Sequence, residues 1–457
     1  MKPKITTGHP YPLEPLFGKI LSPFERFLRQ TTAGGIVLMG MTLLTLVVAS
    51  SPWGDAYRHL WETPFRVGLG LRTLEMSLHA WLNEGLMALF FLLVGLELKR
   101  EIMVGELASP RNAALPVAGA VGGMLAPAGI YLLFNPSGPA AAGWGVPMAT
   151  DIAFAVGILV LLAWRIPRGV IIFLTALAIA DDLGAVLVIA LFFTRAIDMQ
   201  LLAAAAALLG ILVLLNRGGI RHSLPYAILG ILLWLALLKS GIHATLAGVL
   251  LAFVIPPRPI FTPHQFDERL DAVKRALHEA ESDSEGSDIF LSIARLFGLA
   301  ERLERTSAAV QSPQQRMEHR LAPWVTFGII PLFAMANAGL DVSAMPIREV
   351  VLQPVTLGVV LGLVFGKFLG ITGFSWLAVR LGMASLPGGV GWRHISGAAW
   401  LGGIGFTMSL FIGQLAFAGA PSLFEQARLG TMLASLISAI LGLGWLYFGA
   451  RGASADG

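Results

Sequence analysis

Apolar runs of membrane-spanning length recur along most of this chain, separated by short stretches rich in Lys, Arg, Gly and Pro. A helix needs about 20 mainly apolar residues to cross a bilayer. On that rule the pattern predicts twelve spans, near 34–52, 80–98, 113–134, 148–163, 170–194, 199–216, 224–238, 243–256, 323–339, 354–379, 395–417 and 429–449. The fourth, seventh and eighth are short for the hydrocarbon core, which predicts breaks, tilt or support from neighbours. The chain then divides into an N-terminal segment (1–33), spans one to eight (34–256), a long charged segment (257–322), spans nine to twelve (323–449) and a tail (450–457). The predicted fold class is an all-α polytopic membrane protein.

Two segments between spans carry patterns of their own. In 53–79, Phe65, Val67, Leu69 and Leu71 alternate with Gly68 and Gly70, which suits either a small external β-hairpin or an irregular loop. In 257–322, Phe266, Leu270, Val273 and Leu277 recur at helical spacing among Asp267, Glu268, Lys274 and Arg275. That predicts an amphipathic helix on the membrane surface or against the protein. The acidic run Glu281–Asp288 reads as a flexible linker.

Composition agrees with the membrane reading. Only 13% of the 457 residues are charged, against about 25% in soluble proteins, and the mean hydropathy is +0.74. With no cysteine, disulfides and thiolate chemistry are excluded. The basic pI, near 9.5, reflects topology rather than nucleic-acid binding. With the N-terminus inside, the inside segments hold 24 Lys and Arg and the outside segments 7, so both ends are predicted cytoplasmic. Residues 1–29 carry five Lys and Arg but no apolar stretch with a cleavage site, so no cleaved signal peptide is expected.

Against this apolar background a few charged residues stand out. Asp181 and Asp182 sit side by side in Leu177–Ala185, mid-span, with no other charge from Gly169 to Thr194. Each costs about 2.5–3.5 kcal/mol at the centre of a membrane helix, and such acids mark ion paths, proton relays or catalytic sites. The plainer reading is one acid buried in a helix–helix hydrogen bond. Thr150 and Asp151 interrupt the fourth span after Pro147, and Gly402–Ser409 (G-G-I-G-F-T-M-S) interrupts the eleventh. Unwound backbone inside a membrane must line a cavity or be buried in protein. Matched interruptions in spans three to five and ten to twelve suggest inverted-topology repeats, with two broken helices crossing near the midplane.

Helix N-termini there favour an anion and C-termini a cation. Asp151 suits the first task, or simply caps a helix break. Lys367, with no charged residue within ten positions, suits the second, or snorkels toward an interface. Glu97, Lys99, Arg100 and Glu101 at a span end read equally as a solvated flank, and His243 as a packed histidine.

Adjacent helical residues point about 100° apart. One Asp of the pair can therefore bind a cation while the other pairs with Lys367. Carboxylate oxygens, with Thr150, backbone carbonyls and water, suit an alkali ion, and the same oxygens take protons. Proton and cation then compete for one site, and obligatory exchange follows if the empty charged site cannot cross. No P-loop is present, so the driving force is an ion gradient. Two rivals are a sodium-coupled symporter of small anions and an intramembrane aspartyl protease using Asp151 with Asp181 or Asp182. The protease lacks a G-x-G-D context and has no use for Lys367. No catalytic residue, cofactor or structural metal is expected.

The motifs Phe90–Glu101, Ala149–Phe154, Ala180–Ala185, Ser240–Gly248, Pro331–Gly339, Gly366–Gly370 and Gly403–Ser409 occur in order. From about Arg29 to Trp445 the chain closely resembles the NhaA-type bacterial sodium/proton antiporters. That family is itself a known example of inverted repeats with broken helices. The resemblance implies electrogenic exchange of two protons for one Na⁺ or Li⁺, activated at alkaline pH, in an inner-membrane homodimer. It makes Asp181 and Asp182 the ion-binding pair, Lys367 the lysine that pairs with Asp181 or compensates helix dipoles, and Thr150 and Asp151 residues of the helix crossing. Glu97 and the Glu318–His319 pair would belong to pH regulation. The chain departs from the family at Glu84, where Asp is usual, and at Ala322, where a second entrance histidine is usual. Its 257–322 segment is also long, and the amphipathic stretch within it would be an added regulatory element. These last two departures bear on the pH set point rather than on the transport chemistry.

Overall fold

The computed structural model describes residues 33–69, 72–194, 197–258, 263–282, 298, 311–340 and 347–449. The predicted N-terminal segment, the acidic linker beyond Ser282 and the tail lie outside the described residues, Ala33 and Glu281–Ser282 apart.

The chain opens with helix α1 (Ala33–Ala49), which bends by 112° into α2 (Gly54–Glu62). An antiparallel hairpin follows, β1 (Pro64–Leu69) with β2 (Arg72–Ser77). Its register sets Phe65 opposite Met76 and Val67 opposite Leu74, and Arg66 pairs with Glu75 across the strands at 2.9 Å. The alternation in 64–69 is therefore a hairpin, preceded by a helix that its pattern did not predict. Next come α3 (Leu78–Val104), α4 (Pro110–Phe134), 3-10 turns over Pro139–Met148, α5 (Ile152–Val160) and α6 (Arg168–Phe192). They are followed by α7 (Met199–Arg217), α8 (Ser223–Ser240), α9 (Leu246–Val254), α10 (Pro263–Ser282) and α11 (Pro313–Trp324). After a π turn at Val325–Ile329 come α12 (Ile330–Asn337), α13 (Ile347–Val351), α14 (Pro354–Arg380), α15 (Trp392–Gly402), α16 (Phe406–Ala416) and α17 (Pro421–Gly449).

Among the described residues eight helices are long and apolar enough to cross a membrane alone. The number reaches ten if the bent pairs α1–α2 and α15–α16 each count as one span. The other apolar segments of the predicted twelve are built, among the described residues, from shorter or interrupted helices. The predicted eighth span shrinks to the nine residues of α9, about 14 Å at 1.5 Å per residue, half of a ~30 Å core. The predicted ninth is divided among the end of α11, the π turn and the eight residues of α12. The short apolar run of the eighth span already points to the first of these, whereas hydropathy, which counts apolar residues, is blind to the division of the ninth. The predicted amphipathic helix is α10, with Phe266, Leu270 and Val273 half-buried and Asp267, Glu268, Lys274 and Arg275 exposed.

The chain forms two compact units, and the division falls inside α6. One holds the hairpin, α3, the end of α6 from Val186, α7 to α11 and the π turn Val325–Ile329. Its core gathers Leu92, Leu96, Leu212, Tyr226, Leu233 and Leu251. The other holds α1, α2, α4, the interrupted stretch 139–160, α6 to Ala185, and α12 to α17. In it the order long helix, interrupted segment, long helix occurs twice: α4, 139–160, α6, and again α14, α15–α16, α17. Helices α4 and α14 pack backbone to backbone. A Cβ on Gly122 would lie 2.2 Å from the Gly370 carbonyl oxygen, and one on Gly370 2.1 Å from that of Gly122. Small residues at this crossing are what let membrane helices approach so closely.

Candidate ion site

Lys367 follows a π turn at Gly362–Gly366 within α14. Such a turn adds a residue to the helix and re-aims the side chains after it. The close α4–α14 crossing then seals the lysine in, and its side chain is 0% exposed. Its Nζ donates to Asp181 Oδ2 on α6 at 2.7 Å. Asp182, buried beside it, is within electrostatic reach of the same ammonium. The lysine therefore does not snorkel. The remaining Asp181 oxygen, Oδ1, is buried without a hydrogen bond of ordinary length among the described residues, and Thr150 lies alongside this carboxyl.

Thr150 and Asp151 belong to the extended stretch between the Pro139–Met148 turns and α5. Both are buried. Asp151 caps α5, accepting from Phe154 N–H through Oδ1 at 3.0 Å. Its Oδ2 accepts from the N–H of Thr407 at 3.0 Å and from the Thr407 hydroxyl at 2.5 Å. Thr407 lies in the first turn of α16, so one carboxylate serves the N-terminal ends of two half-helices. The opposite polarity is served locally too. The Thr150 hydroxyl donates to the Gly402 carbonyl at the end of α15, at 2.8 Å, and Asp151 N–H donates to Ile404 O at 2.7 Å. The Ser409 hydroxyl donates to Val146 O at 2.7 Å. The two interrupted segments thus satisfy each other's orphan groups, as backbone inside a membrane must.

The proposed pH-regulating residues lie in the other unit. Arg100 on α3 reaches Glu318 on α11 at 3.4 Å and Glu101 at 3.5 Å. Glu97 is within electrostatic reach of Glu318, Arg100 and Glu101. Glu97 and Glu318 are therefore brought together, whereas His319 is exposed and donates through Nδ1 to Gln315 O on its own helix at 2.8 Å.

A family model described as Na+/H+ antiporter 1 matches residues 25–446. The chain is 63% identical to the Na(+)/H(+) antiporter NhaA of Syntrophobacter fumaroxidans over 439 residues, covering 96% of this chain and 93% of that one. It is 57% identical to the Na(+)/H(+) antiporter NhaA of Acidithiobacillus ferrooxidans over 428 residues, 94% of this chain and 98% of that one. It is 48% identical to the Na(+)/H(+) antiporter NhaA 1 of Saccharophagus degradans over 434 residues, 95% of this chain and 93% of that one. The chain belongs to the NhaA-type Na+/H+ antiporter family. It is a multi-pass membrane transporter and not an enzyme.

Within this NhaA-type chain, sequence reasoning missed Thr407 and Ser409 as partners of the crossing. Their signal was present: two hydroxyl residues follow the Gly-Ile-Gly break, where helix-start donors need acceptors. Thr407→Val keeps the side-chain shape and the N–H but removes a hydroxyl bonded to a buried carboxylate. It is expected to lower unfolding stability by about 1.5–3 kcal/mol, read as a fall in the detergent Tm, with Thr407→Ser close to the parent. An unchanged Tm in the valine variant would remove the hydroxyl from the crossing.

Proposed function

We propose that this chain exchanges Na⁺ or Li⁺ for H⁺ across the bacterial inner membrane, at a midplane site made by Asp181 and Asp182. The observation that carries the reading is the buried Lys367–Asp181 ion pair, with Asp182 beside it and an interrupted-helix crossing within the same unit. A cation that takes oxygens from both carboxylates competes with Lys367 for the negative charge of Asp181. Cation binding and retention of the site's protons then exclude each other. If the loaded site faces either side while the empty charged site cannot cross, the result is antiport by alternating access. Thr150 adds a hydroxyl and backbone near the pair, and Asp151 holds the crossing that forms the site's floor.

The finer features of the proposal follow the family. The two three-helix triplets are inverted-topology repeats within a frame of about twelve membrane passages, some made of short helices. Exchange of two protons for one cation moves net charge and couples transport to voltage by about 2.3 kcal/mol per charge per 100 mV. Both termini are cytoplasmic by the Lys and Arg bias, the protein is a homodimer, and Glu97, Glu318 and His319 take part in alkaline activation.

The test is proton movement in proteoliposomes holding an imposed pH gradient. Na⁺ and Li⁺ added outside are expected to release internal protons promptly, and K⁺ is not. Sodium uptake that moves no protons but rises with a small organic anion would replace this proposal with the sodium-coupled symporter.

A further inference from the structure

Lys99 is a cation that the ion site does not use, and it is buried in the other unit. Its Nζ donates to three main-chain carbonyls: Phe253 at 2.7 Å, Ile255 at 2.5 Å and Ala252 at 3.3 Å. Ala252 and Phe253 lie in the last turn of α9 (Leu246–Val254) and Ile255 is its C-cap, at the end of a half-length helix whose C-terminal dipole attracts a positive charge. The reach follows from helix geometry. Gly95 and Lys99 are four residues apart and share one face of α3. At Gly95 the helices touch so closely that a Cβ would lie 2.7 Å from Ala252 Cβ. Lys99, one turn further on, meets the end of α9.

Glu97 lies two residues from Lys99 and so projects from nearly the opposite side of α3. Arg100 and Glu101 follow it at the i+3 and i+4 positions, on the side that meets Glu318 of α11. Gln314 completes the frame. It donates from Nε2 to Leu96 O at 2.8 Å and from its N–H to Pro256 O at 3.4 Å, tying the start of α11 to α3 and to the end of α9. Other charged groups on α3 and α11 are engaged elsewhere: Glu84 lies 3.9 Å from His243, and Arg316 donates to Arg221 O at 3.4 Å. Glu106 donates its N–H to Glu101 Oε2 at 3.1 Å, α9 carries no titratable side chain, and His319 turns outward to Gln315.

We infer that Lys99 is a positioning residue for pH activation: by capping the end of α9 it fixes the rotation of α3 and so holds Glu97, Arg100 and Glu101 against Glu318. The inference rests on the proposal that this acid cluster sets the activation profile. The experiment therefore compares Lys99→Met and Lys99→Arg with Glu318→Gln in full-length protein, measuring exchange rate against pH and the apparent KM for Na⁺ at saturating alkaline pH.

Lys99→Met releases the anchor at the end of α9 and so loosens Arg100 from Glu318 and Glu101, which weakens the cation that favours their charged forms. It is expected to move the pH of half-activation about half a unit or more toward alkaline values, with KM at saturating pH within about twofold of the parent. Lys99→Arg, which keeps the charge and donors, is expected to restore most of the profile. If Lys99→Met does not accumulate folded, Lys99→Gln, with two donors left, is held to the same criterion. A parental profile in the lysine variants while Glu318→Gln shifts it would overturn the role of Lys99 alone. A parental profile in Glu318→Gln as well would overturn the cluster itself.

Discussion

Asp182→Asn is expected to abolish Na⁺- and Li⁺-driven proton release while leaving the protein folded. Asparagine matches aspartate in shape, so packing on α6 is kept. The lost property is charge. A carboxylate about 4 Å from a monovalent cation contributes about 4 kcal/mol at an effective dielectric of 20. At about 1.4 kcal/mol per tenfold, its removal weakens cation binding by roughly a thousandfold. The variant also lacks a proton to exchange, so raising Na⁺ does not restore turnover. The checks are proton release from proteoliposomes over a wide range of Na⁺ and the detergent Tm. Full exchange in a folded Asp182→Asn protein would move the cation site elsewhere.

That site was legible in the sequence because its cost is legible. Two adjacent acids and a lone lysine in apolar runs are expensive wherever the chain folds, so Asp181, Asp182 and Lys367 announced themselves without structure. The breaks were legible for a related reason: Pro147 and the glycines of Gly402–Ser409 interrupt apolar segments that otherwise read as continuous helices. What joins the breaks was not. Thr150 to Gly402, Asp151 to Thr407 and Ser409 to Val146 are hydrogen bonds across more than 250 residues of chain, and no local pattern encodes which orphan group meets which. Lys99 was hidden differently. At a span end, next to Glu97, Arg100 and Glu101, it looked like part of a solvated flank. It is buried because α9 stops halfway, and the shortness of the eighth apolar run does not say which side chain caps the stop. The π turn ahead of Lys367 has no composition signal either, since its residues Gly362–Gly366 suit an ordinary membrane helix.

Loss of Lys367 is the second large effect, and a double-mutant cycle is its proper test. The lysine and Asp181 are both removed from water, and their bond at 2.7 Å offsets much of that desolvation. Breaking a buried pair from one side leaves an uncompensated charge and costs about 3–5 kcal/mol, whereas removing both partners is often close to neutral. Lys367→Met is therefore expected to lower the Tm strongly, and Lys367→Met with Asp181→Asn to recover most of that loss. With Asp181→Asn measured alone to close the cycle, the departure of the double variant from the sum of the two singles is the coupling energy, and contacting buried groups commonly show about 0.5–3 kcal/mol of it. Exchange is expected to fall in the single variant and to stay low in the double one, because Asp181 is then unable to ligand a cation as a carboxylate. Recovered stability without recovered transport separates the two tasks of the pair: it balances charge in the resting protein and yields Asp181 to the ion during exchange. A loss in the double variant equal to the sum of the two single losses would show that the bond contributes nothing to stability, and the competition between lysine and cation for Asp181 would lose its energetic basis.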